Sequence, residues 1–505
     1  MHRILPDRPH PLFDTSATRR IETAAAQGLP PHTLMERAGR SAARLALALA
    51  PHARHVWVAC GPGHNGGDGL EAAAALRQAG RTVTVTLAAD ADRLQTDARV
   101  ALDRARAAGV VFDPGLPDGL GPQDLCIDGL LGIGLRSRSE PMADRLQRTF
   151  AQLADTCAPI LALDIPSGLA ADTGHEAIET IAGYSAQSGA GGHFLAQNTL
   201  TFLTLKPGLF TAQGRDRAGT VWFDDLGIAP SEAPAAWLSG PPADADSRHA
   251  VHKGSFGDVA VVGGEGIGRR GRGMEGAAWL AATAALHAGA GRVLLALLDT
   301  AAWTGGSSPE LMLRTVDAFD LSAGAVVCGC GGGEAIREPL PRVLAEASRL
   351  VLDADALNAV AADRSLQQQL AGRAPHGRTT VLTPHPLEAA RLLDSTTDAV
   401  QADRLEAARR LSERYGCTVA LKGSGTIVAT PGRTPAINPT GNGRLATAGT
   451  GDVLAGMVGA ALARPGADAF QATVEAVYTH GALADRWPTD RALTAGRLAL
   501  SAIRR

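Results

Sequence analysis

Aromatic residues make up only 4% of this 505-residue chain, too few to build stacking surfaces for bases. Basic and acidic residues nearly balance, 48 against 51, and the formal charge is -3. With no basic excess there is no electrostatic case for nucleic acid. Long hydrophobic runs are also missing. The longest, Ala42–Ala50 and Ala277–Ala290, are short or interrupted, so no membrane span is expected. The opening Met-His-Arg-Ile-Leu-Pro-Asp stretch has no apolar signal segment, and a cytoplasmic enzyme is the expectation. Cysteine is sparse, at positions 60, 126, 157, 328, 330 and 417. Cys328 and Cys330 are close, but without a further Cys/His pair they lack zinc-site spacing, and all six are expected to be small buried residues.

What is abundant is glycine, 59 residues, in a chain that is 45% hydrophobic. At this length two domains of roughly 200 to 250 residues are expected. Residues 229–246 are rich in Pro, Ala and acidic side chains without a period, which is linker composition, and they separate domains 1–228 and 247–505. On both sides short apolar runs alternate with Ala/Leu/Arg-rich stretches, the pattern of α/β layers with parallel sheets. His55–Cys60 and Thr82–Leu87 read as strands flanking a helix over Leu70–Gly80. Further strands end at Asp128 and Asp164. In the second part strands are read at Asp258–Gly264, Ala325–Gly329, Leu350–Asp353, Thr379–Thr383 and Thr418–Lys422.

Gly449-Thr450-Gly451-Asp452 precedes a small-residue run that reads as a helix. Glycines at a helix N-terminus can turn amides toward a phosphate. A carboxylate at the same corner would be repelled by phosphate unless it had a task, and taking a proton from a substrate hydroxyl is the usual one. Asp452 is therefore the candidate base, although such a corner standing alone is more often a helix cap. Lys422-Gly423-Ser424-Gly425-Thr426 offers amides and hydroxyls to a nucleotide, or forms a hairpin turn.

In the first part Gly61-Pro-Gly63-His64-Asn65-Gly66 fits the dinucleotide fingerprint, with Asp90 near the ribose position, so an NAD-dependent dehydrogenase is an alternative. The continuation Gly67-Asp68-Gly69 speaks against it by adding turn residues and a carboxylate where a helix should have started. Asn65, Asp128 and Ser167, at successive strand ends, supply the side-chain oxygens that hard cations prefer. This leaves Asp164 free for proton transfer.

Residues His64–Asp68, Asp128–Arg136, Asp164–Leu169 and Lys206-Pro-Gly208, after Leu34–Gly39, resemble the NAD(P)H-hydrate epimerase domain. The resemblance implies a Rossmann-like α/β/α sandwich. It also implies that His64, Asn65, Gly66, Gly67, Asp68, Gly132, Ile133, Gly134, Leu135, Arg136, Ser137 and Arg138 contact the hydrated nucleotide. Asn65, Asp128 and Ser167 would hold K+, with Asp164 beside the reacting ring. The chain departs from the family's pattern at His64, Gly129, Leu131 and Ile133, where Asn, Ala, Phe and Thr are usual.

Residues 247–500, through His252-Lys-Gly, Cys328–Gly333, Leu352–Asn358, Thr383-Pro-His385 and Gly449–Asp452, resemble the ADP-dependent NAD(P)H-hydrate dehydratase domain, which has a ribokinase-like α/β fold. By that resemblance Ala277, Gly331, His385 and Asp452 contact the hydrate, while Lys422–Thr426 and Gly451 contact ADP. Mg2+ is expected to bridge the nucleotide phosphates. Cys330 and Leu387 stand where proline and glycine are usual. Together the resemblances imply a bifunctional repair enzyme acting on hydrated NADH and NADPH. The alternative is a small-molecule kinase fused to a non-catalytic Rossmann-like module. Self-association is left open.

Overall fold

A computed structural model describes residues 1–134, 144–177, 195–243, 249–271, 273–298 and 308–502, without the side chains of 269 and 270. The chain divides into two units, residues 1–5 with 11–236 and residues 6–10 with 237–505. Within the stretch of linker composition, Trp237 and Leu238 are not irregular. They pair parallel with Ala436 and Ile437 of the second unit.

The first unit contains β1 (His2–Arg3), β2 (His55–Cys60), β3 (Thr82–Leu87), β4 (Val111–Phe112), β5 (Leu125–Gly129), β6 (Ile160–Leu163), β7 (Asn198–Phe202) and β8 (Thr220–Asp224). They form one sheet in the order β1-β8-β7-β6-β5-β2-β3-β4, parallel except for β1. Helices α1 (Thr15–Gln27), α2 (Thr33–Leu49), α3 (His64–Gln78), α4 (Thr96–Ala107) and α5 (Asp144–Asp155) accompany it. Side chains of β2 alternate, as a strand requires. Val56, Val58 and Cys60 pack with α2, α3 and α4, whereas Trp57 and Ala59 pack with Phe150 and Leu153 of α5. The sheet is thus covered on both faces.

Helix α3 begins at His64, six residues before the start expected from the sequence, so Gly67-Asp68-Gly69 is helix and not turn. The glycines here serve close packing. A Cβ at Gly66 would lie 1.9 Å from the Gly61 carbonyl oxygen, and one at Gly69 would lie 3.0 Å from Cys60 Sγ. Early entry into the helix also sets Asn65 and Asp68 one turn apart on one face.

The second unit contains β9 (Asp258–Gly263), β10 (Arg292–Leu297), β11 (Met312–Leu313), β12 (Ala325–Cys328), β13 (Arg349–Leu352), β14 (Thr379–Leu382), β15 (Thr418–Leu421), β16 (Ile427–Thr430) and β17 (Arg433–Ile437). Their order is β11-β10-β9-β12-β13-β14-β15-β16-β17. The pairs from β11 to β15 are parallel, β16 and β17 follow antiparallel, and the strand Ala236–Leu238 pairs parallel with β17. The helices used below are α6 (Glu275–His287), α7 (Pro386–Leu392), α8 (Arg404–Tyr415), α9 (Thr450–Ala463) and α10 (Ala469–Asp485). Helix α9 carries alanine and glycine because it is buried nearly all round. A Cβ at Gly456 would meet the Ala281 carbonyl oxygen of α6 at 2.0 Å.

Both sheets reverse their direction of strand addition beside the first long strand, between β2 and β5 and between β9 and β12. Loops leaving the carboxyl ends diverge there, which opens the crevice where such sheets bind ligands.

Candidate functional site

In the first unit the expected residues converge at the ends of β2, β5 and β6. Asp128 is fully buried. Its Oδ1 accepts from Ser167 Oγ at 2.6 Å and the Leu130 amide at 3.1 Å, and its Oδ2 from the Ser167 amide at 2.8 Å. Burial pushes its pKa up to about 6, although these three bonds pull it down. Ser167 Oγ accepts from the Leu131 amide at 2.8 Å and lies 3.2 Å from the Leu131 carbonyl oxygen. Asn65 Nδ2 donates to that same carbonyl at 2.9 Å, but its Oδ1 is buried without a partner. An orphaned buried carbonyl is costly. Asn65, Asp128, Ser167 and the Leu131 carbonyl are linked by these bonds, and their oxygens are of the kind hard cations prefer.

Asp164, expected to be available for proton transfer, has partners of its own. Its Oδ1 accepts from Lys206 Nζ, from the Phe202 amide at 3.2 Å and from Thr201 Oγ1 at 3.3 Å. Lys206 is 1% exposed and also donates to the Phe202 carbonyl at 2.7 Å. A lysine this deep requires a carboxylate partner, and Asp164 ends the neighbouring strand. Asp164 itself has φ 61°, a left-handed conformation unusual outside glycine. The Asp68 pKa is raised well above the ordinary range by burial and then by the charges of Asp164 and Glu22. His64 Nδ1 lies 3.4 Å from Glu22 Oε1; that bond raises the His64 pKa and lowers that of Glu22.

Gly132 touches this cluster, since a Cβ there would lie 3.2 Å from Asn65 Cβ. Gly66 and Gly67 lie buried at the start of α3. Ile133 and Gly134 form the turn after β5, with Gly134 near Arg19. Leu135, Arg136, Ser137 and Arg138 lie outside the described residues. Asp90, the alternative ribose ligand, is exposed and pairs with Arg93 and Arg145.

In the second unit the ends of β12, β13 and β15 meet the start of α9. Gly449 takes φ 90° immediately before Thr450, so the helix starts two residues ahead of Asp452. Cys330 Sγ and carboxylate oxygens of Asp353 and Asp452 lie within 4.8 Å of one another. Burial and then the charge of Asp353 raise the Asp452 pKa to about 6, against a lowering hydrogen bond from Cys330. Lys422 Nζ donates to Asp353 Oδ1 at 2.6 Å, and Thr383 Oγ1 donates to the same oxygen at 2.8 Å. Burial acts to lower the Lys422 pKa, but the charges of Asp353, Glu388 and Asp452 outweigh it, so the net shift is upward. Gly451 belongs to the same group, because a Cβ there would be 3.3 Å from Lys422 Nζ.

Ala277 and Gly331 are also neighbours. A Cβ at Gly331, whose φ is 58°, would lie 2.8 Å from Ala277 Cβ. His385 caps α7: its Nδ1 accepts from the amides of Leu387 at 3.1 Å and Glu388 at 3.4 Å. Its Nε2 is 3.2 Å from Glu388 Oε1. Burial pulls the His385 pKa down and pushes that of Glu388 up to about 7. Segment Lys422–Thr426, with Gly423, Ser424 and Gly425, is the turn between antiparallel strands β15 and β16. The hairpin reading of its geometry therefore holds, and its first residue faces Asp353.

Sequence reasoning assigned no role to Lys206, Asp353, Glu388 or Arg404. Asp353 carried a usable signal, since it ends a strand as Asp128 and Asp164 do. Lys206 and Arg404 look in sequence like any surface cation. Cysteine also departs from expectation: Cys157 is exposed, and Cys330, although buried, lies among carboxylates.

Two family descriptions match the chain, YjeF-related protein N-terminus over residues 31–208 and NAD(P)H-hydrate dehydratase over residues 261–505. The Escherichia coli K12 bifunctional NAD(P)H-hydrate repair enzyme Nnr is 35% identical across 94% of this chain and 90% of its own length. The chain belongs to the bifunctional NAD(P)H-hydrate repair enzymes. Another member of this family, from Leishmania braziliensis, is 36% identical over 92% of this chain and 86% of its own. The ADP-dependent (S)-NAD(P)H-hydrate dehydratase of Neisseria meningitidis is 42% identical over 49% of this chain and 83% of its own. A solved ADP/ATP-dependent NAD(P)H-hydrate dehydratase from Bacillus subtilis, co-crystallized with ATP/Mg2+, is 28% identical and covers 50% of this chain and 90% of that one, with a TM-score of 0.41. In this repair enzyme the first unit is the Rossmann-like domain and the second the ribokinase-like domain, and both polar clusters fall inside the matched spans. Among the described residues no helix is long and apolar enough to cross a membrane.

Proposed function

We propose that the first unit epimerises the R and S hydrates of NADH and NADPH and that the second dehydrates the S form at the expense of ADP, giving AMP and phosphate. The observation that carries the second half is the meeting of Asp452, Asp353 and Lys422 at the glycine-led start of α9. Asp452 takes the proton of the substrate hydroxyl as its oxygen attacks the terminal phosphorus of ADP, and AMP departs. Phosphate then leaves the ring carbon, and loss of a proton from the adjacent carbon restores the dihydronicotinamide double bond. Lys422 and the Gly451 amide stand beside the phosphates, where positive charge offsets what develops in transfer. Ala277, Gly331 and His385 line the hydrate side. Mg2+ carried on the nucleotide phosphates would neutralise their charge, and the carboxylates of Asp353 and Asp452 suit it as hard donors.

In the first unit Asp164 and Asp68 form the acid-base pair of epimerisation, with Asp68 kept toward its protonated form by burial and by Asp164. K+ would be held by Asn65, Asp128 and Ser167. The unpartnered Asn65 Oδ1 supports that reading, since a bound cation would satisfy it. His64–Asp68 and Gly132–Arg138 would bracket the nucleotide.

The test mixes purified full-length protein with the hydrate mixture, Mg2+ and ADP, and follows recovery of dihydronicotinamide absorbance. Complete recovery of both epimers is expected. Asp452→Asn should abolish recovery while R and S still interconvert, and Asp164→Ala should leave the S form recovered and slow the R form. No recovery by the unaltered protein with either ADP or ATP would refute the proposal.

A further inference from the structure

The turn Lys422–Thr426 rests on one buried side chain from another element. Arg404, the first residue of α8, is 1% exposed. Its Nη2 donates to the carbonyl oxygens of Leu421 at 3.2 Å and Lys422 at 3.1 Å, and its Nη1 to Gln401 Oε1 at 2.6 Å. None of these acceptors is a carboxylate. Burial pulls its pKa down to about 10. A guanidinium buried among neutral acceptors is expensive, and an apolar residue of similar size would fill the space at lower cost. Packing alone does not account for it.

The geometry is specific. Gly423 has φ 139°, and a Cβ there would lie 2.8 Å from Nη1 and Nη2, so only a bare α-carbon lets the guanidinium lie against the 422–423 peptide. That peptide is trans, as are all those described, so its C=O and N–H point in opposite directions. With the Lys422 carbonyl turned to Arg404, the Gly423 N–H is turned away from it, and it has no hydrogen-bond partner among the described residues. The Lys422 N–H is taken by the Pro384 carbonyl at 2.9 Å. Both sides of Lys422 are therefore fixed, and its side chain leaves the turn toward Asp353.

We propose that Arg404 is the positioning residue of the nucleotide site: it orients the 422–423 peptide so that the Gly423 N–H donates to the phosphates of a nucleoside diphosphate and Lys422 Nζ stands beside them. The inference rests on the reading of Lys422–Thr426 as the ADP loop. The guanidinium acts through the backbone and touches no substrate.

The experiment uses full-length Arg404→Met and Arg404→Lys variants and measures KM for ADP, kcat, ADP affinity by calorimetry and affinity for the S-hydrate of NADH. Arg404→Met should raise KM and Kd for ADP roughly tenfold or more, with kcat at saturating ADP within about threefold and hydrate affinity within about twofold. Arg404→Lys, which keeps the charge but not the planar fork, should fall between. Unchanged ADP affinity in either folded variant overturns the proposal, and so does equal weakening of both ligands, which would mark a scaffold role only. Should the Met variant not fold, the Lys variant decides by the same readouts. The ADP-loop reading is checked separately in the unaltered protein by hydrogen exchange: ADP should slow exchange over residues 420–427, and no slowing would refute the loop assignment itself.

Discussion

Lys422 Nζ lies 2.6 Å from Asp353 Oδ1, and the pair joins the ends of two strands that are separated in the sheet by a third. Neither group would be stable so deep alone, since an unpaired buried charge costs several kcal/mol. Asp353 thereby holds a cation beside Asp452 that the turn alone could not aim. Asp353→Asn should lower dehydratase kcat by about 10²-fold, a typical loss for a preorganised electrostatic group, while epimerisation is unchanged. Steady-state rates for both reactions on one preparation test this, and an unaltered dehydratase rate would remove Asp353 from the machinery.

The dehydratase should lose activity as pH falls. Asp452 works as a base in its ionised form, and its pKa is raised to about 6, so log kcat should decline below that pH. The hydrogen bond from Cys330 lowers the Asp452 pKa, so Cys330→Ala should move the acid limb to higher pH. A profile with no acid limb between pH 5 and 7 would contradict the assignment of Asp452.

Lys206→Met should abolish epimerisation and destabilise the protein by about 3 to 5 kcal/mol, the range for breaking a buried pair. It leaves Asp164 with the Phe202 amide and Thr201 hydroxyl as its remaining donors. Lys206→Arg should restore less than the native lysine, because a fork does not fit a site built around one point charge. Denaturant melts with epimerisation assays distinguish loss of fold from loss of chemistry.

His480 of α10 is buried, its Nε2 3.0 Å from the Thr450 carbonyl oxygen at the start of α9. Burial depresses its pKa from 6.5 to about 4, so the unfolded chain takes up a proton before the folded one does. Stability from this group is full above pH 6.5 and is lost as pH falls toward 4. The melting temperature of the unaltered protein should drop across that window, and His480→Gln, which keeps a donor and cannot titrate, should flatten part of the drop. Parallel curves would assign the acid sensitivity elsewhere.

Strand ends were readable because a parallel sheet buried on both faces writes each strand as an apolar run, and a polar residue right after it, as at Asp128, Asp164 and Asp353, marks the ligand side. The start of α3 was misplaced because glycine signals turns in general, and only the close approach of Gly61 and Cys60 reveals that these glycines are packing residues inside a helix. The pairing of Asp164 was hidden for the same kind of reason. Its partner Lys206 lies forty-two positions away, and no local pattern reports such a pair.

By itself the sequence determined the two α/β domains, the family resemblance and the residue types at the strand ends, because periodicity and motif spacing are local properties of a chain. The tertiary structure decided which of those residues carry partners. It gave Lys206 to Asp164, and both Lys422 and Cys330 to Asp353, and left Asn65 Oδ1 without one. Charge and hydrogen-bond satisfaction depend on distances of a few ångströms between strands far apart in sequence. Only the folded sheets set those distances.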